Sequence, residues 1–84
     1  MEPQKVKSLI EAGLSGSEVQ VTGDGRHFQA LVVNDAFAGK SMLEQHRMVY
    51  AALGDSFETD AVHALALKTY TREQWRSMQE QSTD

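Results

Sequence analysis

A glycine turn, Gly23-Asp24-Gly25, separates two strand-like runs and constrains this chain more than any other feature. Before it, Glu18-Val19-Gln20-Val21-Thr22 alternates polar and apolar residues, as a half-exposed strand does. After it, residues 28–33 resume as a more buried strand. So short a connection makes an antiparallel hairpin the natural pairing.

Helical patterns flank this hairpin. Pro3 suits a first helical turn, where its missing N–H costs nothing. Val6, Leu9, Ile10 and Leu14 follow helical spacing, and Gly13 and Gly16 offer a stop. Residues 34–40 read as a loop with Phe37 anchored inward. Ser41 and Glu44 form a capping box opening a second helix. Leu43, His46, Tyr50 and Leu53 share one face of that helix, with Met42 and Val49 beside it, and Gly54-Asp55 ends it. A single helical turn around Ser56-Phe57-Glu58 leads to a third strand at 62–69. Thr71 and Gln74 make another capping box, for a last helix that buries Trp75 and Met78. Residues 1–78 then form one domain, and 79–84 a frayed polar tail. The order helix, strand, strand, helix, short turn, strand, helix predicts an α+β fold. Its helices pack on one face of a three-stranded sheet.

Composition narrows the function. Eighty-four residues with 40% hydrophobic and 24% charged content support one modest core and argue against disorder of the whole chain. The chain has no cysteine, which excludes disulfides, thiolate nucleophiles and a self-contained Cys-ligated zinc or iron–sulfur site. No run of about 18 apolar residues exists to span a membrane. The N-terminus lacks an apolar signal core, so a cytoplasmic protein is expected. A net charge of -4 opposes non-specific nucleic-acid binding, which rests on phosphate neutralisation by basic side chains. No Gly-x-Ser-x-Gly elbow, phosphate-binding loop or His-Glu-x-x-His motif is present, and an enzyme is not expected. Gly13-Leu14-Ser15-Gly16 spells a Gly-x-x-Gly clamp but falls between a helix and a strand and carries no basic residue.

The three histidines are the remaining chemistry. His63 lies in the apolar run Val62-His63-Ala64-Leu65-Ala66-Leu67, with the parity of Leu65 and Leu67, which must face the helices. It is either a core-edge imidazole satisfied by a carbonyl or water, or a ligand or proton carrier with one open nitrogen. His27 lies in the glycine-flanked loop, where an imidazole is solvated or available for binding. His46 falls on the apolar side of its helix, a structural position. Structural zinc takes four ligands and catalytic zinc usually three from the protein. Two imidazoles therefore make an incomplete site, and this arithmetic points to one shared at an interface.

Gly39-Lys40-Ser41, Gln45-His46-Arg47-Met48-Val49-Tyr50, Val62-His63-Ala64-Leu65 and Thr69-Tyr70-Thr71 with Trp75 occur in the order and spacing of the BolA family. Gly23-Asp24-Gly25-Arg26-His27-Phe28 resembles the hairpin of its short-loop bacterial subgroup. The resemblance covers roughly residues 2–78. It implies a fold similar to class II KH domains and partnership with monothiol glutaredoxins. It further implies that His63 ligates a [2Fe–2S] cluster bridged between the partners, with His27 filling the place of the family's loop His or Cys. The glutaredoxin cysteine and glutathione complete the set. Such a module would traffic clusters, or regulate iron, redox and stress responses, as a heterodimer. Alone it is expected to hold no cofactor tightly and to be a monomer or weak dimer. Thr71-Arg72 departs from the Thr-Pro of many relatives. A DNA-binding regulatory role, also ascribed to the family, would use a KH-like face carrying Arg47, Lys68, Arg72 and Arg76.

Overall fold

The computed structural model describes residues 2–23, 27–54 and 65–82. In chain order they form α1 (Pro3–Gly13), β1 (Glu18–Gly23), β2 (Phe28–Val33), a 3₁₀ turn (Asp35–Phe37), α2 (Met42–Leu53), β3 (Leu65–Tyr70) and α3 (Arg72–Ser82). This is the predicted α+β order. The expected turn at residues 56–58 and residues 62–64 of the expected third strand lie outside the described residues.

β2 is the centre of the sheet. It pairs antiparallel with β1, from Glu18↔Val33 to Gly23↔Phe28, and parallel with β3, from Phe28↔Leu65 to Val33↔Tyr70. Alternation then sorts the side chains. Val19, Phe28, Ala30, Val32 and Leu65 are buried on one face, against Val6 and Ile10 of α1 and Val49 and Leu53 of α2. Burying each large apolar side chain of this set contributes about 1.5–3 kcal/mol relative to leaving it exposed. Gly13 lets the two helices meet, since a Cβ there would stand 2.6 Å from the Ala52 Cα. The chain turns instead at Gly16, whose φ of +80° suits glycine.

Phe37 is anchored inward as expected, 1% exposed, and the segment around it is a 3₁₀ turn rather than plain loop. Both capping boxes form. Ser41 Oγ accepts from the Glu44 N–H at 3.2 Å and Glu44 Oε1 from the Ser41 N–H at 3.1 Å. Thr71 Oγ1 and Gln74 Oε1 repeat the exchange at 3.2 and 2.9 Å.

Two helical faces differ from expectation. Leu43 is 60% exposed, because the buried stripe of α2 centres on Val49 and Leu53 and the first turn projects past the core. Trp75 is half-buried and Met78 39% exposed, because α3 reaches the sheet only near its own start, where Trp75 packs on Tyr70 with ring centroids 5.8 Å apart. Val33 has the parity of the exposed Gln29, yet is fully buried beside its register partner Tyr70. α3 therefore closes one end of the face that α1 and α2 leave uncovered. It includes residues 79–82, which the sequence pattern assigns to the tail.

Candidate functional site

His27 is exposed immediately before β2, at the turn end of the hairpin. Its place is set by Gly23 and Phe28. A Cβ on Gly23 would approach both the His27 carbonyl oxygen and the Phe28 ring to 2.6 Å, so only glycine allows the chain to return this closely. Phe28 is 3% exposed and pairs with Leu65 at the start of β3. The buried ring holds the backbone while the preceding imidazole faces solvent. His63 lies outside the described residues. Leu65 is buried and Leu67 partly buried on the helix-covered face, as their parity requires.

His46 is half-buried in α2, and its Nε2 is buried with no hydrogen-bond partner among the described residues. Its apolar-side placement agrees with the spacing argument. Among the described residues no group of three or more His, Asp or Glu side chains is placed to hold a metal ion. With no cysteine in the chain, exposed His27 offers an imidazole, a borderline nitrogen donor suited to iron, copper, nickel or zinc.

The four basic residues do not form one stripe. Arg47 is exposed on α2, while Lys68 is exposed on the sheet face opposite that helix. Arg76 is exposed on α3. Arg72 is committed to the fold: its Nη2 donates to the Gly16 carbonyl at 2.6 Å and its Nη1 to Asp35 Oδ2 at 3.2 Å. The Arg72 backbone N–H reaches Asp35 Oδ1, also at 3.2 Å. That backbone hydrogen bond first, and the guanidinium second, hold the Asp35 carboxyl below its ordinary pKa. The Ser41 backbone N–H and hydroxyl similarly hold Glu44 low.

Three polar junctions that sequence patterns do not reveal fix the strand ends. Asn34, 7% exposed, donates from Nδ2 to Ser17 Oγ at 2.8 Å and the Ser15 carbonyl at 3.3 Å. Its Oδ1 accepts from the Ala36 N–H at 2.8 Å, and its backbone N–H reaches the Tyr70 carbonyl at 2.9 Å. Thr69, on the covered face of β3, donates to Gln45 Oε1 at 2.5 Å, while Gln45 Nε2 holds the Lys40 carbonyl at 2.9 Å. The Arg72–Asp35–Gly16 junction is the third. Each joins residues far apart in sequence.

A hairpin carrying an exposed histidine, a parallel third strand and two helices over one sheet face define a small α+β domain. The family model for BolA-like proteins matches residues 6–74, and the chain belongs to the BolA family, in its IbaG-like subgroup. It is 36% identical to the acid stress protein IbaG of Escherichia coli K12 over 75 residues, 89% of each chain. It is 43% identical to the DNA-binding transcriptional regulator BolA of the same organism over 58 residues, 69% of this chain and 54% of that one. Among solved structures, a BolA homologue from Coxiella burnetii superposes with a TM-score of 0.80 at 44% identity, covering 90% of this chain and 97% of the other.

Proposed function

We propose that this protein is an adaptor that binds a monothiol glutaredoxin and shares with it a bridging [2Fe–2S] cluster, His63 and His27 being its donors. The carrying observation is the exposed His27 at the end of β2, next to the register pair Phe28↔Leu65. His63 is two residues from Leu65, a reach of at most about 7 Å along the chain. That short separation in sequence supports the reading that both histidines serve one site. The glutaredoxin cysteine and glutathione supply the thiolates. Two neutral imidazoles make the cluster less negative than four thiolates would and raise its potential. Each ring must be deprotonated to bind, so the complex weakens as pH falls. The adaptor holds or relays the cluster in the cytoplasm and performs no turnover of its own. The name of its relative IbaG supports a place in the acid stress response.

The test is co-expression with a monothiol glutaredoxin and visible absorption and circular dichroism of the purified complex. A cluster spectrum that His63→Ala abolishes and His27→Ala perturbs is expected. An unchanged spectrum and unchanged cluster lifetime in His63→Ala would remove the ligand assignment.

DNA-binding regulation is the second reading, supported by the name of the E. coli relative BolA. Arg47, Lys68 and Arg76 remain available to phosphates, whereas Arg72 is engaged. A phosphate-driven complex must weaken steeply as salt rises. Absence of binding to duplex DNA at low salt removes this reading.

A further inference from the structure

The sheet face left uncovered by α1 and α2 is hollow. A cleft of about 420 Å³ opens there, within the size range of small-molecule sites. Its floor is one register row, Gln20–Leu31–Lys68, and the next row, in which Gln29 pairs with Ala66. The short Ala66 side chain leaves the depression, and Trp75 of α3 forms the wall, braced by Tyr70 at 5.8 Å. Lys68 makes no ion pair and no acidic side chain lines the cleft, among the described residues. Glu18 is exposed on the same sheet face but stands outside the cleft, whose lining holds Lys68 as its one charged side chain, between an indole and two primary amides.

We infer that this cleft binds a planar aromatic molecule carrying negative charge, a carboxylate or phosphate monoester on an aromatic or heteroaromatic ring. The indole gives the ring a flat apolar partner, and aromatic pairs at such a wall favour offset or tilted packing. Lys68 meets the anion as a compact ammonium with three donors. The Gln20 and Gln29 amides donate to or accept from polar atoms on the ring edge. The site is independent of His27 and His63, so its failure leaves the cluster reading untouched.

The chain has one tryptophan, so the indole N–H gives a single assignable signal in ¹⁵N–¹H correlation spectra. Titration with 2-naphthoate and with adenosine 5′-monophosphate, against 2-naphthamide and adenosine, separates ring from charge and the two sources of anion. Shifts at the Trp75 indole and the Leu31 and Lys68 amides are expected from at least one anion. The neutral counterpart should bind about fivefold more weakly, the Coulomb attraction of one contact pair in water. Exposed Lys68→Gln should erase that preference without unfolding the protein. Shifts confined to other residues, equal binding of anion and neutral analogue, or a preference surviving in Lys68→Gln would each overturn the assignment.

Discussion

Asn34 joins the α1–β1 connection, the 3₁₀ turn and the end of β3 through five hydrogen bonds, at a position only 7% exposed. Asn34→Ala deletes the side-chain bonds and leaves the Ala36 N–H without its acceptor. Such a loss costs about 1–3 kcal/mol for a buried group, and urea denaturation should show a lower midpoint with an unchanged slope. A midpoint equal to wild type would mean that water replaces the amide. Asp35 and Glu44 are exposed, and both have pKa values lowered by hydrogen bonds formed only in the folded state. The folded protein therefore binds their protons less readily than the unfolded chain does. Their stabilisation is present above the ordinary carboxylate range and is lost as pH falls through the lowered folded values. Asp35→Asn with Glu44→Gln should flatten the acid limb of a stability-versus-pH curve measured by thermal unfolding. An acid limb of the same slope would place the sensitivity elsewhere.

Helix α2 shows what local sequence decides at the scale of an element. Its start is written in Ser41 and Glu44, and the structure forms the reciprocal bonds of that box. Ser41→Ala should cost about 1 kcal/mol, the usual loss for an N-cap, read as a fall in thermal midpoint. No change would mean that the Gln45 bond to the Lys40 carbonyl suffices to hold the turn. Caps, the hairpin and inward Phe37 were legible because each depends on residues a few positions apart. The buried face of α2 was not, since Leu43 and Val49 both satisfy helical spacing. Only the close approach at Gly13 and Ala52 decides which stripe faces α1. The burial of Val33 on the other sheet face was equally hidden, because its parity is that of the exposed Gln29. Of the candidate site, the exposure of His27 followed from its loop. The engagement of Arg72 did not follow, since Asp35 and Gly16 are 37 and 56 residues away.

At the scale of the whole molecule, the proposed chemistry belongs to two chains. On the proposed reading, a protein without cysteine contributes imidazoles alone, and the thiolates come from its partner. This dependence makes the charge of each donor adjustable from one side of the interface. His27→Cys exchanges a neutral imidazole for a thiolate at the exposed edge of the hairpin. The thiolate adds negative charge to the cluster and should lower its reduction potential relative to wild type. It should also move the pH dependence of assembly from imidazole toward thiol protonation. Redox titration of the purified glutaredoxin complex, followed by circular dichroism across pH, reads both effects. A complex that assembles with unchanged potential would show that His27 stands outside the coordination sphere. His63 would then be this chain's only donor, with the remaining positions filled from the partner's side.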